Sequence, residues 1–276
     1  RPDGLFLFRL QNLLKSFAWK GHKMGLSIPT FGERRFRLYL AGFEPCYAVV
    51  TLPKDYQSGK KYSVLFEYTG NYFPQSGSSG EVEDASLGYG ITGGKNFIWV
   101  VLPFVSEQGN ERTWWGEREA TIRFAIDAVT EICSRFGGDP DNLFLCGFSR
   151  GAIAVNYIGL ANDEIASLWK GLLTFDHYDG VREWDGWGSP LCKYRREARE
   201  RLKRTAAKQV LIVQQPDTRE IQDYLGKIGK SLDFLKHFTF LDVPMEKLFQ
   251  IPNDIFVHPH TDKWLLFDNE FSTFVR

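Results

Sequence analysis

The chain has no excess of either charge: 34 Lys and Arg stand against 34 Asp and Glu in 276 residues, a formal net charge of zero. A polyanion finds no general attraction on such a chain, so nucleic acid is not expected as a partner. The basic stretch from Lys193 to Arg204 is interleaved with acids and reads as the solvated face of a helix. No apolar run approaches the roughly 20 residues of a membrane span, and a soluble protein is expected. The four cysteines (Cys46, Cys133, Cys146 and Cys192) form no C-x-x-C pair, which leaves a zinc site unsupported; neither a metal nor a cofactor is expected. Cys46 and Cys146 in predicted strands and Cys133 in a predicted helix read as buried thiols, with a disulfide left open only for Cys192. Internal repeats, low-complexity tracts and obvious linkers are also missing. The chain starts at Arg1 rather than Met, which points to a trimmed N-terminus.

What is present is a regular alternation. Eight short apolar runs bounded by Gly, Pro, Asn or Asp predict strands at 36–40, 46–52, 62–68, 97–102, 143–146, 171–175, 209–213 and 238–243. The later runs are separated by helix-period segments, clearest over 117–136, where Ile122, Ala125, Ile126, Val129, Ile132, Cys133 and Phe136 mark one apolar face. Strand and helix in turn predict an α/β fold whose eight-stranded sheet is mostly parallel and flanked by helices. The first strands follow one another without helices, so an antiparallel start is expected. Residues 1–35, with Leu10, Leu13, Leu14 and Phe17 at helical spacing, are expected to form an N-terminal extension packed on a catalytic domain at 36–276. Two long irregular stretches, 71–94 and 178–190, have the length of loops that carry function.

Between the fifth predicted strand and the small residues Ala152-Ile153-Ala154-Val155 lies Gly147-Phe148-Ser149-Arg150-Gly151. A strand, a glycine-flanked serine and a helix make a nucleophile elbow, in which glycines are needed where a Cβ would collide with the neighbouring strand and helix. Ser149 is the candidate nucleophile. A serine hydroxyl is a weak nucleophile at neutral pH and needs a general base, itself oriented by a carboxylate. The base belongs after the last strand, which leaves His258 and His260; His260, preceding the helix-like 261–275, is preferred, and His258 is expected to have no catalytic duty. For the acid, Asp217 ends the seventh strand, although it also suits a helix N-cap with Glu220 three residues on. Asp179, after the sixth strand, is the alternative acid, with Asp176 and Glu220 behind it. The oxyanion donors are expected to be the backbone N–H of Arg150, at a helix start, and that of Asn71 or Tyr72, just past Gly70.

These features resemble the α/β-hydrolases, and more specifically the group of esterase D, polyhydroxybutyrate depolymerases and feruloyl or acetylxylan esterases. The segment that carries the resemblance is Arg135-Phe136-Gly137-Gly138-Asp139-Pro140-Asp141-Asn142 leading into Leu143-Phe144-Leu145-Cys146-Gly147-Phe148-Ser149-Arg150-Gly151-Ala152. His260-Thr261-Asp262-Lys263-Trp264 resembles a histidine-bearing ending of such hydrolases. The resemblance implies an α/β-hydrolase fold and hydrolysis of esters by a Ser-His-Asp triad. The oxyanion segment Tyr68-Thr69-Gly70-Asn71 departs from the His-Gly-Gly-Gly run of lipases.

Tryptophans concentrate in predicted loops: Trp114 and Trp115 after the fourth strand, Trp184 and Trp187 after the sixth, near His177. Loops at the C-terminal edge of a parallel sheet surround its active site, so these rings suit a platform for a sugar or an aromatic acyl group. The expected substrate is an acetyl or feruloyl ester, small or borne on a polysaccharide, and with the trimmed start this favours a secreted or periplasmic location. A serine peptidase of the same fold and a catalytically silent binding module are the alternatives.

Overall fold

A computed structural model describes residues 34–184, 186–229, 233–243 and 258–263, together with a short parallel pairing of His22–Lys23 with Phe249–Gln250. The predicted N-terminal helix around residues 5–20 and the helix expected beyond Lys263 lie outside the described residues.

One sheet is built from β1 (Arg35–Tyr39), β2 (Tyr47–Thr51), β3 (Tyr62–Tyr68), β4 (Phe97–Leu102), β5 (Gly138–Phe148), β6 (Gly171–Phe175), β7 (Gln209–Gln214) and β8 (Phe238–Asp242). Their spatial order is β8-β7-β6-β5-β3-β4-β2-β1. β2 is antiparallel to both β1 and β4, and every other neighbouring pair is parallel. The antiparallel start follows from the sequence: only a short turn separates β1 from β2, too few residues for the crossover that a parallel pair requires. The flanking helices are α1 (Leu87–Thr92), α2 (Arg118–Arg135), α3 (Arg150–Tyr157), α4 (Asp163–Leu168), α5 (Leu191–Leu202) and α6 (Arg219–Gly229).

The central strands read as almost unbroken apolar runs because both sheet faces are covered. In β3, Val64, Leu65, Phe66 and Tyr68 are all buried, and burial of each such side chain stabilises the fold by about 1.5–3 kcal/mol. Glu67 interrupts this run and is itself buried. Its Oε2 accepts the Gly88 N–H at 2.7 Å and the Trp99 indole N–H at 2.8 Å. Burial, reinforced by the charge of Asp262, pushes its carboxyl up to about 8.

β5 starts at Gly138, five residues before the apolar run that predicts it, because Gly138 pairs with Tyr62 across an irregularity in the β3 register. A Cβ at Gly138 would lie 2.9 Å from the Val64 side chain, so any larger residue there would have to displace its neighbours. α2 covers this part of the sheet with Ile122, Phe124, Ala125, Ala128, Val129 and Ile132. The basic helix α5 is not solvated all round: Tyr194, Ala198, Arg201 and Leu202 are buried. The four cysteines are free, Cys46 and Cys146 buried and Cys192 exposed. Among the described residues no helix is long and apolar enough to cross a membrane, and no group of acidic, histidine or cysteine side chains is arranged to hold a metal ion.

Candidate active site

Ser149 sits between the end of β5 and the first turn of α3 with φ 56° and ψ −117°, a conformation that L-residues with a Cβ rarely adopt. Two glycines permit it. A Cβ on Gly147 would meet the Gly151 carbonyl oxygen at 2.2 Å, and one on Gly151 would meet the Tyr68 carbonyl oxygen at 1.8 Å. The Ser149 N–H donates to the Phe175 carbonyl at 2.9 Å, which ties the elbow to the end of β6.

His260 reaches the serine from the segment 258–263, its Nε2 lying 2.8 Å from Ser149 Oγ. Its loop is braced on several sides. The Pro259 carbonyl accepts from the Gln215 side-chain amide at 2.7 Å, and Thr261 and Asp262 are buried. The His260 N–H donates to His258 Nδ1 at 3.1 Å, so His258 supports the neighbouring histidine and turns its own ring against Phe73. The His260 ring packs on Phe148 at 4.8 Å and beside His177 at 5.0 Å between centroids.

The carboxylate that meets His260 is Asp176, whose Oδ2 lies 3.3 Å from Nδ1. Asp176 directly follows β6 and has φ 58°, a left-handed conformation that aspartate tolerates better than most side chains. Its N–H donates to the Val213 carbonyl and its Oδ1 accepts the Gln215 N–H at 2.7 Å, so the end of β7 holds it from both sides. Burial raises its carboxyl above the usual range, while the bonds to His260 and Gln215 oppose that rise.

Both aspartates preferred from the sequence are engaged elsewhere, and the structure corrects them. Asp217 forms an exposed pair with Arg219, and its carboxyl is held low by that side chain and by the Arg219 N–H. Its Oδ1 does accept the Arg219 N–H at the start of α6, at 3.1 Å, as a capping aspartate would, but Glu220 pairs with Arg182, and Asp242 receives both the N–H and the hydroxyl of Thr218. Asp179 is buried in a two-bond ion pair with Arg201, at 2.8 and 3.0 Å. Asp176 carries one sequence signal, an aspartate at the first position after an apolar strand, but Asp179 three residues later shares it closely enough to compete.

The segment after β3 runs beside the serine: a Cβ on Gly70 would lie 3.4 Å from Ser149 Cβ and 3.1 Å from the Phe148 ring. Tyr72 is corrected as an oxyanion donor, because its N–H donates to the Arg112 carbonyl at 2.8 Å. Among the described residues no acceptor takes the Asn71 N–H, and the Asn71 side chain is fixed by accepting the Trp114 N–H at 2.8 Å. The Arg150 N–H opens α3, where the first amides of a helix have no intrahelical partner and its dipole favours negative charge.

The four tryptophans and His177 lie in one group of rings, with Trp115 on its buried side. Trp114 stacks on Trp187 at 5.6 Å and lies 6.4 Å from Trp184, and Trp184 packs against His177 at 4.4 Å. These three tryptophans are partly exposed, as is His177, whose imidazole is driven well below its usual range by burial and then by the charges of His260 and Arg182. Trp115 is corrected: it is buried among Phe104, Tyr157 and Trp187 and belongs to the core.

No family model matches the chain, and no curated protein is similar to it by sequence. Solved structures are similar in fold. Over 91% of this chain and 96% of its own, an S-formylglutathione hydrolase from Agrobacterium tumefaciens superposes with a TM-score of 0.57 at 13% identity. The feruloyl esterase module from Clostridium thermocellum gives a TM-score of 0.52 at 12% identity over 93% and 95%. A thermostable esterase is matched with a TM-score of 0.49 at 13% identity, and the chain spans 63% of its length, covering 89% of this one. With the strand order above, the first two of these likenesses show that the chain has the α/β-hydrolase fold.

Proposed function

We propose that the protein is a serine hydrolase that cleaves carboxylic esters through an acyl-enzyme, with Ser149 as nucleophile, His260 as general base and Asp176 as the acid that orients it. The observation that carries this reading is the single line Ser149 Oγ, His260 Nε2 and Nδ1, Asp176 Oδ2, with steps of 2.8 and 3.3 Å. His260 Nε2 takes the hydroxyl proton as Ser149 Oγ attacks the ester carbonyl carbon, and the Asp176 carboxylate stabilises the imidazolium that forms. The N–H groups of Arg150 and Asn71 receive the negative oxygen. His260 then returns its proton to the departing alkoxide, which leaves as the alcohol. Water, deprotonated by the same nitrogen, attacks the acyl-serine; the acid departs and the proton goes back to Ser149.

For the substrate, the partly exposed rings of Trp114, Trp184 and Trp187 with the neutral His177 support an ester with a flat or sugar-like partner, such as a carbohydrate-bound acetyl or feruloyl ester. The test is hydrolysis of p-nitrophenyl acetate by the purified protein and by Ser149→Ala. Wild-type turnover that falls to background in the variant supports the reading, and equal rates overturn it in favour of a silent binding module. Release of acetate or ferulate from polysaccharide, set against cleavage of an acyl-peptide, separates esterase from peptidase.

A further inference from the structure

The side chain of Arg150 is wholly engaged with two neighbouring loops, and an elbow does not require it. It is 1% exposed, and among the described residues no carboxylate pairs with it. Its partners are backbone carbonyls and one hydroxyl drawn from two separate loops. After β3 it meets the Thr69 carbonyl at 3.5 Å and hydroxyl at 3.1 Å, the Gly70 carbonyl at 2.9 Å and the Gly80 carbonyl at 3.5 Å. After β4 it meets the carbonyls of Glu111 at 3.2 Å and Trp114 at 2.7 Å, with the Phe104 ring 4.0 Å below the guanidinium. Burying a cation costs more than filling the same space with an apolar side chain, so its retention calls for a return in geometry. Only a planar guanidinium offers five donors in a fixed fork to hold several carbonyls at once.

The Gly70 contact is the informative one. The Gly70 carbonyl and the Asn71 N–H belong to the same planar trans peptide, so they point in opposite directions, and gripping the oxygen aims the N–H. A second path closes the circuit: Asn71 Oδ1 accepts the Trp114 N–H, and the Trp114 carbonyl accepts from Arg150 Nη1. We propose that the Arg150 side chain is a positioning residue that aims the Asn71 N–H and the Trp114 turn at the serine, while its own backbone N–H supplies the other oxyanion donor. The inference rests on the ester hydrolase reading and deepens it: the position after the nucleophile sets both halves of the oxyanion site.

The experiment compares wild type, Arg150→Met and Arg150→Lys, with active sites counted by a fluorophosphonate so that only folded enzyme enters the rate. Arg150→Met is expected to lose kcat by about 100- to 1,000-fold, the loss typical of one oxyanion donor, with KM within about threefold. Affinity for a boronic acid, whose serine adduct places an oxygen at the same donors, is expected to fall in parallel. Arg150→Lys, which keeps one donor for Gly70, is expected to recover part of both. A kcat per titrated site within about threefold of wild type in Arg150→Met, or boronate affinity unchanged while kcat falls, overturns the proposal. Should Ser149→Ala retain the wild-type rate, the hydrolase reading fails by itself, and amide exchange then decides on positioning. The Trp114 N–H is expected to exchange at least about tenfold faster in Arg150→Met with the β3 amides unchanged, and unaltered Trp114 exchange overturns the proposal.

Discussion

The Asp176 carboxylate faces His260 Nδ1 at 3.3 Å with one oxygen and receives the Gln215 N–H at 2.7 Å with the other. The aspartate therefore cannot turn away from the imidazole without giving up its bond to a part-buried amide. Asp176→Asn is expected to lower kcat about 1,000- to 10,000-fold, since an amide favours the wrong imidazole tautomer. Asp217→Asn, on a half-buried carboxylate whose partner is Arg219, is expected to stay within about twofold of wild type. Steady-state kinetics on p-nitrophenyl acetate checks both, and the reverse order would reassign the acid.

Asp179 has a different duty. Its ion pair with Arg201 is almost free of solvent, and breaking one side strands the other charge. Asp179→Asn is therefore expected to cost about 3–5 kcal/mol of stability in denaturant unfolding, with kcat per folded molecule little changed.

Glu67 makes stability depend on pH with a predictable sign. Its carboxyl is raised from 4.5 to about 8 in the fold, so the folded state holds its proton more tightly than the unfolded chain does. The resulting stability is full below the unfolded pKa and is lost as pH rises through about 8. Glu67→Gln keeps an acceptor for Gly88 and Trp99 without the charge. It is expected to be more stable than wild type by on the order of 1–3 kcal/mol at pH 8 and to show no such gain near pH 4. Thermal melts at the two pH values check the crossing.

Trp184 supplies the test of the aromatic wall. Its ring rests on His177 and lies beside Trp114, and an aromatic contact of this kind contributes about 0.5–1.5 kcal/mol. Trp184→Ala is expected to raise KM for a feruloyl or sugar ester up to about tenfold and leave p-nitrophenyl acetate within about twofold. Equal effects on both substrates would remove this residue from substrate recognition.

Gly151→Ala is expected to prevent folding or to leave a protein without the native melting transition, because its Cβ would sit 1.8 Å from the Tyr68 carbonyl oxygen. Far-UV circular dichroism and a thermal melt measure it.

Much of this arrangement is legible in the sequence because local patterns specify it. All eight sheet strands coincide with apolar runs, and the elbow is written in two glycines whose absent Cβ atoms make room for neighbouring backbone. The aspartate that meets His260 is not written locally. Asp176, Asp179 and Asp217 are the same side chain at comparable distances from strand ends, and they differ only in what the tertiary fold sets opposite each: an imidazole, a guanidinium from α5, or a neighbouring Arg219. The Trp115 and Tyr72 expectations fail for the same reason. A loop tryptophan and a loop amide look free until the chain brings Tyr157 to one and the Arg112 carbonyl to the other.

Val213 and Gln215 give the end of β7 a consequence of its own. This strand contributes no charge to the serine's surroundings, yet its carbonyl anchors the Asp176 backbone and its amide anchors the Asp176 carboxylate. The charge and its support are thus split between adjacent strand ends, about 4.8 Å apart. Asp176 therefore keeps its place only while β6 and β7 stay paired, and any change that parts these two strand ends also moves the carboxylate.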